Sequence, residues 1–129
     1  MACRLDAIGI VVAHMGDALD FYRRLGLFFP EGSETEPHAE ASGPGGIRIM
    51  LDTEESVKSF SDWRAPSGSH RVALAFLCDQ PSEVDERFME LTASGVGTHL
   101  APFDAPWGQR YATVLDPSGN PIDLFAWMK

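Results

Sequence analysis

The sequence predicts an α+β fold of two tandem βαβββ modules whose mixed sheets curve into cups. Three observations carry this expectation. Two short apolar segments, residues 5–12 (LDAIGIVV) and 72–78 (VALAFLC), read as strands buried on both faces. Each precedes a stripe of helical spacing: Ala18, Tyr22 and Leu25 in the first case, Val84, Phe88 and Leu91 in the second, at i, i+4 and i+7. The two stripes overlay at a constant offset of 66 residues, and the strands share it, Ile8 on Leu74 and Ile10 on Phe76. Three further strand-like segments follow each helix, so the chain reads as an internal duplication.

Taken in order, residues 5–12 form the first strand and 16–25 the first helix, with Gly26 at its cap. Strands over 27–29, 35–41 and 46–52 complete the first module, the last two joined by a turn at the GPGG of 43–46. Residues 53–69 (TEESVKSFSDWRAPSGS) connect the modules, a short helix first and then loop. In the second module Pro81 suits the first turn of a helix and Gly95 closes it. Strands over 98–103, 109–115 and 121–127 follow, with DPSGN at 116–120 as a hairpin turn. The expected organisation is one domain, 1–129: module one about 1–60, a linker about 61–69 and module two about 70–129.

A chain of 129 residues with 44% hydrophobic and 22% charged side chains has the composition of a globular domain. Its formal charge of −9 argues against nucleic acid and anionic membrane as partners, because phosphates repel it. Cys3 and Cys78 make neither a disulfide framework nor a metal cluster. The first residues, MACRLDAIGIVV, lack the long apolar run and cleavage site of a signal peptide, and no stretch reaches the roughly twenty apolar residues of a membrane span. A cytoplasmic location is therefore expected. Walker loops, GxGxxG, GxSxG, HExxH and CxxC are absent.

Strand alternation assigns faces. Ile8, Ile10 and Val12, Ile47, Ile49 and Leu51, Val72, Leu74 and Phe76, and Ile122 and Leu124 should meet the helices. The open faces then receive Ala7, Gly9 and Val11, Arg48, Met50 and Asp52, Ala73, Ala75 and Leu77, and Pro121, Asp123 and Phe125. Phe60, Trp63, Phe103, Trp107 and Tyr111 gather near the rims. A floor of small residues under an aromatic rim suits a flat apolar ligand. The same aromatics could equally plug a core or form a dimer interface. His38 and His99 could face the cup, and His38 joins Arg48, Met50, Asp52 and Asp123 as candidate ligand contacts beside Trp63, Phe103, Trp107 and Tyr111.

Two stretches, IGIVVAHMGDALDFYRRLGL and WGQRYATVLDPSGNPIDLF, make the chain resemble the vicinal oxygen chelate superfamily of glyoxalase I, extradiol dioxygenases and bleomycin-resistance proteins. Tandem βαβββ modules are that family's architecture, and in this likeness Phe21 and Tyr22 are structural. Its enzymes bind a metal through four side chains on four strands. Carried over, those positions are Ala7, Met50, Ala73 and Asp123, of which only Asp123 offers a hard oxygen. The resemblance therefore points to the metal-free branch similar to bleomycin-resistance proteins: dimers that sequester an antibiotic in grooves at the subunit interface, without a cofactor and without altering it.

The expected function is metal-free binding of an aromatic or hydrophobic natural product, with the acidic groups favouring a ligand that carries a positive charge. One alternative is a divalent-metal-dependent lyase, isomerase or dioxygenase with a shifted site built from His38, Asp52 and Asp123. A second is a filled cup that serves protein–protein contact.

Overall fold

A computed structural model describes residues 2–42, 46–67 and 70–129 of the chain. Two units emerge, Met1–Ala65 and Pro66–Lys129. The first contains β1 (Ala7–Val12), α1 (Met15–Arg24), a short 3-10 turn (Ser33–Thr35), β2 (His38–Ser42), β3 (Arg48–Thr53) and α2 (Glu54–Lys58). The second contains β4 (Leu74–Leu77), α3 (Pro81–Ala93), β5 (Thr98–Ala105), β6 (Gln109–Leu115) and β7 (Pro121–Trp127). The sheets run β1-β3-β2 and β4-β7-β6-β5. Both are mixed: β1 is parallel to β3 and β4 to β7, while the other pairs are antiparallel. The α+β class holds.

In the first unit α1 packs on β3, and Val12, Ala18, Leu19, Phe21, Tyr22 and Leu51 form the core. Phe21 and Tyr22 meet edge to face at 5.0 Å. The helix ends at Gly26, whose φ of +97° only glycine adopts cheaply; the Gly26 and Leu27 N–H groups then donate back to the Arg23 and Tyr22 carbonyls. Gly95 (φ +93°) closes α3 in the same way, with the Val96 N–H on the Leu91 carbonyl. In the second unit α3 packs on β5, β6 and β7 over Val84, Leu91, Ala112, Val114, Ile122, Leu124 and Ala126. Burying a side chain such as Leu124 contributes about 1.5–3 kcal/mol.

Two expected strand segments do not form, each for a local reason. Residues 27–29 make no strand. The Arg23 guanidinium takes the Phe29 and Pro30 carbonyls, at 3.3 and 3.2 Å, in place of a ladder, and Phe29 turns into the core. The first module is therefore β-α-β-β, with a 3-10 turn at Ser33–Thr35 between α1 and β2. The fourth strand starts at Leu74 rather than Val72, and Val72 is exposed instead of facing the helix. Its would-be neighbours on β7 are spent: Pro121 has no N–H, and both backbone groups of Asn120 bond Asp116 in the hairpin turn. Ala73 consequently lies outside β4. The turn predicted at 43–46 falls mostly outside the described residues; Gly46, its last residue, has a φ of +83°.

The connection begins with the short helix expected. Thr53 ends β3 and caps α2, its Oγ1 accepting from the Ser56 N–H at 3.1 Å. Among the described residues no helix is long and apolar enough to cross a membrane.

Candidate functional site

Each sheet has one face against its helix and one face turned away from it, and the candidate side chains sit on the latter. In the first unit, register places Arg48, Met50 and Asp52 of β3 beside Ala7, Gly9 and Val11 of β1 and Ser42, Glu40 and His38 of β2. Cross-strand neighbours on one face lie about 5 Å apart, within reach of ion pairing. The result is a continuous string. Arg48 reaches Asp6 at 2.6 Å and Glu40 at 2.5 Å; His38 reaches Glu40 through Nε2 at 2.7 Å and Asp52 through Nδ1 at 2.6 Å. Bonding to Glu40 first, then to Asp52, raises the His38 pKa above its ordinary value. Bonding to His38 and then Arg48 lowers that of Glu40. Both imidazole nitrogens thus sit at hydrogen-bonding distance from a carboxylate, an arrangement that favours the protonated ring. Met50 lies across from Gly9, and a methyl there would make only an ordinary contact, 3.8 Å from Met50 Cε.

The second unit carries different chemistry at matching positions. Its open face holds Ala75 and Leu77 of β4, Asp123, Phe125 and Trp127 of β7, and Tyr111 and Thr113 of β6. Pro102 cannot donate to the ladder, and β5 is irregular between Leu100 and Phe103; regular pairing resumes at Phe103 with Tyr111. A tight turn then closes with the Gly108 N–H on the Ala105 carbonyl (Gly108 φ +94°) and presents Trp107. Phe103, Trp107 and Tyr111 form a mutual edge-to-face trio with centroids 5.3–6.3 Å apart. The Trp107 indole N–H donates to Gln109 Oε1 at 2.8 Å, yet Trp107 remains 55% exposed and Trp127 61%. Beside this wall the Thr113 hydroxyl donates to Asp123 Oδ1 at 2.7 Å. Burial first, and then the Asp123 carboxylate, push the Tyr111 phenol up to about 12.

The predicted residues therefore fall into two groups. His38, Arg48, Met50 and Asp52 share the open face of the first unit; Phe103, Trp107, Tyr111 and Asp123 share that of the second. Trp63 joins neither: it follows α2 in the first unit, with Lys58 Nζ 5.8 Å from its ring centroid. His99 is exposed in the irregular part of β5. Phe125, Trp127, Thr113 and Gln109 belong to the second face but were not among the predicted contacts. Alternation along 121–127 carried the signal for Phe125 and Trp127; the Thr113–Asp123 pair depends on strand register, which alternation does not give. A cavity of about 530 Å³ lined by Arg4, Leu5, Asp6 and Gly46 touches none of the predicted residues.

The positions that hold a metal in the family's enzymes do not fit one here. Register sets Met50 beside Gly9 and Asp123 beside Ala75, so the donor set is a thioether and one carboxylate. Among the described residues no group of three or more His, Cys, Asp or Glu side chains is placed to hold a metal ion. Both ring nitrogens of His38 are already engaged with carboxylates, Glu40 and Asp52.

A βαββ unit and a βαβββ unit, each with a sheet face left open by its helix, define a protein of the duplicated-module class. The glyoxalase/bleomycin resistance protein/dioxygenase superfamily model matches residues 4–124, and the chain belongs to that superfamily, the vicinal oxygen chelate group. Solved structures share the fold. A glyoxalase/bleomycin resistance protein/dioxygenase from Nocardioides superposes with a TM-score of 0.73 at 23% identity, covering 100% of this chain and 86% of that one. A family enzyme from Burkholderia phytofirmans PsJN gives 0.79 at 19% identity, covering 98% and 100%. A superfamily member from Sphaerobacter thermophilus gives 0.68 at 26% identity, covering 97% and 98%. No curated protein matches the chain significantly.

Proposed function

We propose that this chain is a metal-free binding protein of the superfamily, similar to its bleomycin-resistance branch, that sequesters a flat aromatic or hydrophobic natural product such as an antibiotic. The observation that carries the reading is the Phe103–Trp107–Tyr111 trio with Phe125 and Trp127 on one open sheet face. Each ring stacked on a ligand contributes on the order of 1 kcal/mol beyond its buried area, so several rings together give tight binding. The donor-poor metal positions support binding without metal-assisted chemistry. The homodimer expected from the resemblance is part of the same proposal and is read by sedimentation velocity.

A thermal-shift screen against planar antibiotics and flavin-like aromatics tests it, because a ligand that binds only the native state raises Tm. The expected result is a concentration-dependent rise that Trp107→Ala diminishes, with ligand recovered at unchanged mass. Ligand chemically altered in stoichiometric excess over protein, or binding that requires one equivalent of a divalent metal, would overturn it.

A further inference from the structure

The open-face carboxylates of the two units differ in their partners. In the first unit Asp6, Glu40 and Asp52 are each paired with Arg48 or His38. On the helix side of the second unit Arg110 takes both Asp85 and Asp104. Among the described residues no Lys, Arg or His pairs with Asp123; its partners are neutral hydroxyls, Thr113 at 2.7 Å and the Tyr111 phenol beside it. It is half-buried in a wall of rings, and the residue across from it on β4 is the small, exposed Ala75. A carboxylate partly out of water and without a cation is costly unless a partner reaches it. Thr113, itself buried, fixes one oxygen and leaves the carboxylate's orientation set.

We propose that Asp123 is the counter-ion for a ligand ammonium group, so the ligand class is a protonated amine carried on a planar aromatic system. Trp107, Tyr111 and Phe103 take the ring system; Asp123, held by Thr113, accepts the N⁺–H, and Ala75 leaves the space beside it. A charge-assisted hydrogen bond of this kind is about twice as strong as a neutral one, and aromatic faces add attraction for the same cation. This rests on the aromatic-face reading above and names the chemistry that the site selects.

The test uses two probes with the same tricyclic ring, protonated aminoacridine and uncharged acridine, titrated into the full chain by calorimetry at mildly alkaline pH. The wild type should bind the cation roughly tenfold tighter or more. Asp123→Asn should erase that preference while leaving the affinity for acridine within about twofold, and Thr113→Val should reduce it partially. Glu86→Gln, on the exposed surface of α3, makes the same change in net charge and should keep the preference, separating a local counter-ion from the overall charge of −9. Unchanged melting of Asp123→Asn confirms that it folds; if it does not fold, Thr113→Val and the wild-type preference decide. Equal wild-type affinity for the two probes, or a preference that survives in Asp123→Asn, overturns the counter-ion while the aromatic-face reading stands. Failure of both probes to bind overturns both.

Discussion

On the central strand of the first unit the open face carries Arg48, Met50 and Asp52; on the matching strand of the second it carries Asp123, Phe125 and Trp127. Both strands sit beside a parallel first strand and cover the same kind of helix-facing core. The first face satisfies itself: a guanidinium, an imidazole and three carboxylates are joined in one string, leaving little for a ligand to complete. The second leaves large rings exposed and one carboxylate without a cation. The helix sides of the two sheets carry similar buried apolar residues, whereas the open sides carry different chemistry. The proposed binding chemistry is therefore assigned to the second unit, whose open face keeps exposed rings and a carboxylate without a cation.

The largest expected effects should be equal in the two units. Leu51 and Leu124 are fully buried at matching places, so Leu51→Ala and Leu124→Ala should each cost about 2–5 kcal/mol in urea unfolding. A near-zero cost for one alone would break the equivalence of the cores. Next in size is the aromatic face. Removing a ring from the trio, as in Trp107→Ala, should weaken binding of a planar aromatic about three- to tenfold, while Glu40→Gln in the first unit's string should leave it within about twofold. The reverse order would move the site to the first unit.

The charged string gives a smaller, pH-dependent effect. His38 has its folded pKa raised, so its stabilising contribution is complete below the ordinary value of 6.5 and is lost as pH rises through the folded pKa. NMR titration should place His38 above 6.5, and His38→Gln should flatten that alkaline loss of stability. A His38 midpoint at or below 6.5 would contradict the bridge to Glu40 and Asp52. Smallest of all is the Lys58 contact with Trp63, at an exposed site; Lys58→Ala should change stability by no more than about 1 kcal/mol.

Much of this was legible in the sequence because it is local. The helical stripes, the inward set Ile10, Leu51, Ile122 and Leu124, and the capping glycines Gly26 and Gly95 follow from spacing and backbone preference alone. Residues 27–29 misled because their apolar character says nothing of Arg23, which takes the Phe29 and Pro30 carbonyls from six and seven positions away. Val72 misled because the turn at Asp116–Asn120, far along the chain, had already used the groups that would extend β4. Alternation sent Asp52 and Asp123 to the face turned away from the helix, where register places them. It did not show that His38 meets Asp52 or that Thr113 meets Asp123, since those pairs depend on the register of strands distant in sequence.

The most direct test is a titration of the ¹⁵N-labelled protein with aminoacridine, followed by the backbone amides and the tryptophan indoles. The account predicts perturbations concentrated on the Trp107 indole and on the amides of Tyr111, Thr113, Asp123 and Phe125. Perturbations centred on His38, Arg48 and Asp52, with the second unit silent, would contradict it.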